Sequence, residues 1–289
     1  MGDPAEEFEQ HRPLLLGLAY RLLGSMWDAE DVVQDAFLRW VRADRTGVRE
    51  PRAYLMTVVS RLAIDQLRSA RVAREEYPGP WLPEPAETLA LGPLDTAELR
   101  DTVSYAMMHL MERLSPPERA VFVLREAFDV PYEEIAEILG TSTANCRQLH
   151  HRAHTHVARG RGRFQLSRED HLRLLTHFLH ASHSGDVTAL ASMFSEDVMA
   201  WNDGGGKVRA ALRPVSGRSK VAAFVTGLLA RYPSGQEHIV DFNGELTLQT
   251  SIDGGRQFVA FDIRDGLIHG IFAVLNPDKL RRLDPALGS

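Results

Sequence analysis

Cysteine is nearly absent from this chain, since Cys146 is the only one among 289 residues. A single thiol excludes a disulfide framework and a zinc site built from cysteines. Long apolar runs are missing too, because the stretch from Leu14 to Leu23 is short and contains Arg21. The N-terminal sequence MGDPAEEFEQ is acidic and lacks the basic start of a signal peptide. We therefore expect a cytoplasmic protein without a membrane partner.

Acidic residues are absent from Ile138 to Arg168, although the whole chain has a net charge of -6. Six arginines and four histidines occupy this stretch. An ordinary solvated helix mixes both signs, so the local excess of cations favours contact with nucleic acid. The alternative is a solvated helical face in an ordinary bundle. Arg159, Arg161 and Arg163 alternate with glycines and are expected to contact phosphates.

The residues from Leu114 to Phe164 predict a helix-turn-helix. Pro131 suits a first helical turn, and Gly140 suits a left-handed helix end. Thr141 and Ser142 can cap the next helix. One face of that helix is an apolar stripe formed by Cys146, Leu149, Ala153 and Val157. The opposite face carries side chains that suit base edges in a major groove, namely Ala144, Arg147, Gln148, His151, Arg152 and Thr155.

The first 75 residues are predicted to be helical. One helix runs from about Pro13 to Leu23, and Gly24 and Ser25 separate it from a second helix that begins near Asp28. The buried stripe of the second helix is predicted to be Val32, Val33, Ala36, Phe37, Trp40 and Val41. Its outer face is either solvated or a docking surface for a basic partner, and carries Asp28, Asp31, Gln34 and Asp35.

A third helix is predicted from Pro51 to Arg74, where five arginines face the single acid Asp65. Such a helix suits nucleic acid, either a duplex or an unstacked single strand. The next residues, Glu75 to Asp101, are acidic and contain five prolines, which prevents a continuous helix and predicts an extended linker. Within it, WLPEP places Trp81 on a segment without a core, so we expect this indole to dock elsewhere.

The last 120 residues predict an α+β cone. Helical patterns precede short alternating strands with turns at Asn243-Gly244, Asp253-Gly254 and Asp265-Gly266. A cone of this kind could enclose several acids and one histidine. No pair among them has a spacing that is diagnostic of a catalytic site, so we expect no catalysis. These residues are Asp197, Asp203, Asp241, Asp262 and His183. DGGGK is expected to be a hairpin turn, and His177, His180 and His183 a half-buried helical face rather than a zinc site. No cofactor motif is present.

Three strings in a fixed order carry a family resemblance. They are YRLLGSMWDAEDVVQDAFLRWV, PRAYLMTVVSRLAIDQLR and LSPPERAVFVLREAFDVPYEEIAEILGTSTANCRQLHHRA. Together they cover roughly residues 5 to 160 and resemble the extracytoplasmic-function (ECF) sigma factors of the sigma-70 family. The C-terminal part resembles SnoaL-like (NTF2-like) domains. WLPEP, DGGGK and NPDKL mark a SigJ-like subgroup of these sigma factors, in which a fused domain modulates the sigma factor in place of a separate anti-sigma protein.

The resemblance implies a role for each segment. Asp31, Gln34 and Asp35 would dock on the β′ clamp helices of RNA polymerase core. The -10 promoter element would be recognised and melted by the third helix through Arg61, Asp65, Arg68 and Arg71. The -35 element would be read by the helix-turn-helix. Interdomain contacts would involve Trp81, Leu82, Pro83, Glu84, Asp203, Lys207, Asn276, Pro277, Asp278, Lys279 and Leu280.

The predicted organisation is multidomain, with two all-α modules and one α+β cone. Residues 1–75 form the first sigma module, 76–101 the linker, 102–164 the helix-turn-helix module and 165–289 the fused domain. Whether its cone binds an unidentified small ligand stays open on this sequence. We expect WLPEP, DGGGK and NPDKL to meet in one contact. Two other functions stay open on this sequence: a ligand-sensing regulator that acts without polymerase, and an enzyme fused to a DNA-binding module.

Overall fold

The structure, a computed structural model, describes residues 3–92, 97–158, 167–232 and 235–283. The chain divides into two compact units. Unit 1 contains Met1–Glu75 and Ala86–Gly160, whereas unit 2 contains Glu76–Pro85 and Arg161–Ser289. The ten residues 76–85 therefore pack with the C-terminal part of the chain. Within the described ranges, no helix is both long and apolar enough to span a membrane.

Unit 1 is entirely helical where it is described. Its helices are α1 (Pro4–Leu23), α2 (Met26–Arg42), α3 (Pro51–Glu75), a 3-10 turn (Thr88–Leu91), α4 (Ala97–Asp101), α5 (Tyr105–Met111), α6 (Pro116–Phe128), α7 (Tyr132–Leu139) and α8 (Thr143–Ala158). Helix α1 starts well before Pro13, because the Asp3 side chain caps it and Glu6 and Glu7 favour its N-terminus. The expected start at Pro13 was therefore wrong.

A single hydrophobic core runs through both helical modules of unit 1. Leu18 and Trp40 belong to it on the N-terminal side, and Phe122 and Leu149 on the C-terminal side. The predicted apolar stripes of α2 and α8 belong to this core, except for Val41 of α2. The short helix α4 lies where the proline-rich linker was expected to continue to residue 101.

Unit 2 contains three helices and a six-stranded sheet. The helices are α9 (Arg168–Ser184), α10 (Val187–Met193) and α11 (Arg218–Arg231). The strands are β1 (Phe194–Asp203), β2 (Val215–Ser216), β3 (His238–Phe242), β4 (Glu245–Ile252), β5 (Gly255–Arg264) and β6 (Leu267–Val274). Their order is β2-β1-β6-β5-β4-β3, and only β1 and β6 pair in parallel among them.

Two-residue turns fix the register of the last four strands. Asn243, Asp253 and Asp265 have φ of 54°, 53° and 51°, and the glycine after each has φ of 75°. Positive φ at both central residues is the type I′ geometry that matches strand twist. The three predicted turns are confirmed, and so is the fold class of two all-α modules plus an α+β domain.

Candidate functional site

The helix-turn-helix of α7 and α8 is built from local sequence signals. Gly140 ends α7 in the left-handed region at φ 62°. The Ser142 hydroxyl then accepts the backbone N–H of Asn145 at 3.2 Å, in the first turn of α8. The predicted apolar stripe of α8 is buried along its whole length, at Cys146, Leu149, Ala153 and Val157. The opposite face is therefore turned away from the core.

All six side chains predicted for -35 recognition are exposed on that opposite face. Two of them have acidic neighbours: Arg147 lies 3.6 Å from Glu133, and Arg152 Nε lies 3.1 Å from Glu118. The Arg147–Glu133 pair is exposed on both sides, so it is weak and can exchange for a phosphate or base contact. Glu118 in the second pair is only 12% exposed. Arg159, Arg161 and Arg163 lie outside the described residues.

His150 connects the three helices of this module and was not predicted from the sequence. Its Nδ1 lies 3.0 Å from the Tyr132 hydroxyl, and its Nε2 lies 3.0 Å from Glu126 Oε1. Its ring also stacks on Phe122. The imidazole therefore ties α8 to both α6 and α7, which fixes the orientation of the exposed face. In the sequence, the position of His150 directly after Leu149 of the apolar stripe was the signal that could have indicated this packing role.

The four side chains predicted for -10 recognition are exposed along α3. Arg68 pairs with Asp65 at 3.1 Å. The other two donate to backbone carbonyls of the C-terminal helical module: Arg61 Nη2 to Glu137 O at 2.9 Å, and Arg71 Nη1 to Leu114 O at 3.3 Å. Two of the three predicted DNA-contacting arginines therefore hold an intramolecular contact in this conformation.

The outer face of α2 is both acidic and apolar. Asp31, Gln34 and Asp35 are exposed, as predicted for the docking face. Leu38 and Val41 are 41% and 47% exposed and follow Gln34 at steps of four and three residues. The assignment of Val41 to the buried stripe was therefore wrong, because its helical position falls on the outer face. Exposed apolar side chains beside acids are typical of a protein-docking surface.

A buried carboxylate, Asp203 at the end of β1, is the centre of a polar cluster in unit 2. Asp203 is 0% exposed. It accepts hydrogen bonds from the Tyr77 hydroxyl at 2.6 Å and from the Leu82 backbone N–H at 2.9 Å. Lys279 Nζ lies 2.7 Å away, and the Gly205 N–H donates at 3.1 Å. The carboxylate thus joins WLPEP, DGGGK and NPDKL, and we call this cluster the clasp.

Lys279 is the cation of the clasp and is buried. Its ammonium lies 4.0 Å from the centre of the Trp81 ring and 4.9 Å from that of Tyr77, and it also donates to Leu82 O. Two aromatic faces and a carboxylate replace the water that a buried ammonium loses. The indole of Trp81 therefore docks on a buried cation of unit 2.

Tyr77 completes the clasp, although sequence reasoning missed it. Its hydroxyl donates to Asp203 and accepts the Asn276 side-chain N–H at 2.8 Å. Burial, followed by the hydrogen bond to Asp203, raises the pKa of Tyr77 above its ordinary value. A Cβ at Gly205 would lie 2.2 Å from Asn276 Nδ2, so only glycine fits there. The signal available in the sequence was an aromatic residue four positions before Trp81.

The rim of the clasp holds its remaining predicted residues. Lys207 pairs with Asp278, and Arg281 pairs with the same carboxylate at 2.6 Å. The hydrogen bond from Lys207 lowers the pKa of Asp278. Pro277 is exposed. Four further residues of the predicted set are buried, namely Leu82, Pro83, Glu84 and Leu280.

The other titratable candidates of unit 2 hold structural contacts. Asp241 pairs with Arg168 at 2.6 Å, and Asp262 pairs with Arg264 at 2.9 Å. Asp197 accepts from Ser195 at 2.8 Å. His183 lies 3.3 Å from Glu237. In the described part of the chain, no three His, Cys, Asp or Glu side chains lie together as a metal site would require.

Comparison with known proteins identifies the family. Models of sigma-70 region 2 and sigma-70 region 4 match residues 8–72 and 104–157. The chain is 40% identical to the ECF RNA polymerase sigma factor SigJ of Mycobacterium tuberculosis, over 94% of this chain and 92% of SigJ. It is 35% identical to the probable ECF sigma factor SigI of that species, over 68% of this chain and 69% of SigI.

The similarity to SigJ includes the appended α+β domain. The crystal structure of Mycobacterium tuberculosis SigJ superposes with a TM-score of 0.78 at 36% identity, and the match covers 96% of this chain and 98% of that chain. Both helical modules and the C-terminal domain are therefore shared. The chain belongs to the ECF RNA polymerase sigma factors of the sigma-70 family.

Proposed function

We propose that this chain directs RNA polymerase core to specific promoters, with α3 contacting the -10 element and α8 the -35 element. The observation that carries the proposal is the division of α8 into a fully buried stripe and an exposed face of six DNA-compatible side chains. A single helix with these two faces suits a major groove. Such a protein would work in the cytoplasm, where polymerase and promoter DNA meet.

Run-off transcription with purified core polymerase tests this proposal. The full-length chain, added to core polymerase and a library of promoter fragments, should select templates that share -35 and -10 sequences. A DNA-binding regulator that acts without polymerase would bind DNA but would give no selective transcripts. That result would contradict the proposal.

Core docking is assigned to the outer face of α2, which we propose binds the β′ clamp helices. Asp31, Gln34 and Asp35 supply polar contacts, and Leu38 and Val41 supply apolar area. Leu38→Asp should weaken core binding by about 5- to 30-fold, since an interface anchor of this kind is worth about 1–2 kcal/mol. Val72→Asp, at an exposed apolar residue of α3, is the control and should bind core normally. Equal losses of core binding in both variants would contradict the assignment of α2 as the docking surface.

We further propose that the appended domain regulates the sigma modules through the clasp, in place of a separate anti-sigma protein. Residues 76–85, which the clasp holds in unit 2, lie in the chain between α3 and the helical module that contains α8. The clasp thereby acts on the connection between the two promoter-reading modules. The buried ion pair and the aromatic contacts make the attachment of residues 76–85 to unit 2 specific, because each partner satisfies a group that would otherwise be buried alone.

We also propose that unit 2 binds a small polar ligand in its interior. Asn202 Nδ2 and Ser182 Oγ are buried side-chain atoms without a hydrogen-bond partner. Both residues are more than nine-tenths buried, where an unpaired polar atom is costly. Native mass spectrometry of the full-length protein should show a bound small molecule, and Asn202→Leu should lose it. A protein free of ligand after gentle purification and metabolite screening would contradict this proposal.

A further inference from the structure

The guanidinium of Arg147, on the exposed face of α8, lies over the aromatic ring of Tyr132. The distance from its Cζ to the ring centre is 5.5 Å, which is within the range of a cation–π contact, about 6 Å. Tyr132 is the first residue of α7, so the contact joins the two helices of the helix-turn-helix. The same guanidinium lies 3.6 Å from Glu133. Two neighbouring residues of α7, one aromatic and one acidic, therefore contact the side chain of Arg147.

Polar, cationic and apolar contacts fix the ring of Tyr132 in place. Its hydroxyl lies 3.0 Å from Nδ1 of His150, and Nε2 of that histidine lies 3.0 Å from Glu126. The guanidinium of Arg125 lies 5.3 Å from the ring centre and is paired with Asp129 at 2.9 Å. The ring also packs against the hydrophobic core of unit 1. It is therefore a fixed surface, although the arginine over it is exposed.

The two α7 partners of Arg147 differ in the donors that they leave free. A guanidinium donates hydrogen bonds in its own plane, so a ring below that plane leaves all its N–H groups available. A carboxylate instead occupies N–H groups that a base edge or a phosphate would need. Bidentate contact with guanine O6 and N7 is thus compatible with the contact to Tyr132, whereas the pair with Glu133 competes with it.

Order in an exposed arginine affects how well it recognises a base. An arginine side chain has many rotamers, and a base contact must select one of them, which costs free energy on binding. The ring of Tyr132 restricts the guanidinium of Arg147 before DNA arrives and so lowers this cost. Because an exposed cation–π contact is weak, the gain is roughly two- to fivefold in a binding constant. It is confined to the base pair that this one side chain contacts.

We propose that Tyr132 is a positioning residue for -35 recognition, which orders the guanidinium of Arg147 for contact with one base pair and leaves its donors free. The proposal rests on the proposed contact between α8 and the -35 element. Tyr132 acts through Arg147, so its contribution is selectivity at that base pair and not affinity for DNA in general. Glu133 acts in the opposite sense, because its pair with the guanidinium must break when DNA binds.

Base discrimination by the full-length protein tests this role. Fluorescence anisotropy with singly substituted -35 duplexes first locates the base pairs at which Arg147→Ala and Gln148→Ala lose discrimination. Tyr132→Leu should lower discrimination at the Arg147 base pair by about two- to fivefold and leave the Gln148 base pair unaffected. Tyr132→Phe keeps the ring and should retain discrimination at both. In the Arg147→Ala background, Tyr132→Leu should have no further effect at the Arg147 base pair.

Glu133→Gln is the matched control, because it alters the other α7 partner of the same guanidinium. It should leave discrimination at the Arg147 base pair unchanged. An equal loss of discrimination in Glu133→Gln and Tyr132→Leu would overturn the assignment to the ring. A loss in Tyr132→Leu that is uniform over all duplexes would also overturn it, since damage to the whole module has that effect.

A measurement on the wild-type chain avoids dependence on the leucine variant. Protons that lie over an aromatic ring resonate upfield, so the side-chain NMR signals of Arg147 should be shifted upfield of those of an exposed arginine such as Arg173. Unshifted signals would overturn the positioning role. If Arg147→Ala shows no base-dependent loss on any duplex, the proposed -35 contact fails and the role of Tyr132 fails with it. If that loss is present and Tyr132→Leu discriminates like the wild type, only the positioning role fails.

Discussion

Among the residues of the clasp, Lys279 is the one whose loss should destabilise unit 2 most. Lys279→Met leaves the carboxylate of Asp203 buried without its cation, which should destabilise unit 2 by about 3–5 kcal/mol. Urea unfolding followed by circular dichroism measures the change. Lys207→Met, at the exposed pair with Asp278, is the control and should leave stability nearly unchanged. Similar losses in the two variants would contradict a buried ion pair at Asp203.

His109 in α5 should make unit 1 sensitive to acid. Burial lowers the pKa of His109 from 6.5 to about 4. The unfolded chain then binds a proton that the folded chain does not, so stability is complete above pH 6.5 and falls as the pH drops from 6.5 to 4. The loss should reach about 3 kcal/mol. His109→Leu should flatten this pH dependence, whereas His156→Gln, at an exposed residue, should retain it. Parallel pH profiles for wild type and His109→Leu would refute the assignment.

At the scale of elements, α8 should divide its contacts between bases and phosphates. Arg147→Ala and Gln148→Ala should each cost about 1–3 kcal/mol of -35 binding, with losses that depend on the base at one position. Fluorescence anisotropy with a set of singly substituted -35 duplexes measures this dependence. Glu134→Ala, on the exposed side of α7, is the control. A uniform loss on every duplex would assign the two side chains to phosphates.

Elements built from local signals could be predicted from the sequence, whereas contacts between distant segments could not. The turn at Gly140, the cap at Ser142 and the stripe of α8 follow from backbone preference and helical period. Arg61 of α3 donates to the backbone carbonyl of Glu137, 76 positions away, and no periodicity relates the two residues. Local patterns also misplaced the start of α1 and the exposure of Val41.

The contact that forms the clasp was predicted from the family resemblance and not from local sequence patterns. Its three strings came from the family resemblance, and the structure brings them together at Asp203. Tyr77 escaped notice because it lies outside those strings and meets Asp203 from 126 positions away. The regulatory role of the clasp stays a prediction.

At the scale of the whole molecule, the appended domain should alter transcription while leaving polymerase binding intact. A chain truncated after Ala273 lacks Asn276, Asp278 and Lys279 and therefore cannot form the clasp. It should change promoter-dependent run-off transcription severalfold and still bind core polymerase, because the docking face of α2 is unaltered. Pull-down with core polymerase measures the second quantity. Failure of the truncated chain to bind core would contradict the modular organisation.

The position of Trp81 gives the protein an optical reporter of its own. An indole held against an ammonium group and partly shielded from water emits at a different wavelength and intensity from one released into solvent. With Trp27, Trp40 and Trp201 replaced by phenylalanine, the emission of this one side chain would follow the clasp in real time. Rapid mixing with polymerase, DNA or a candidate metabolite would then show which of them opens it, and how fast.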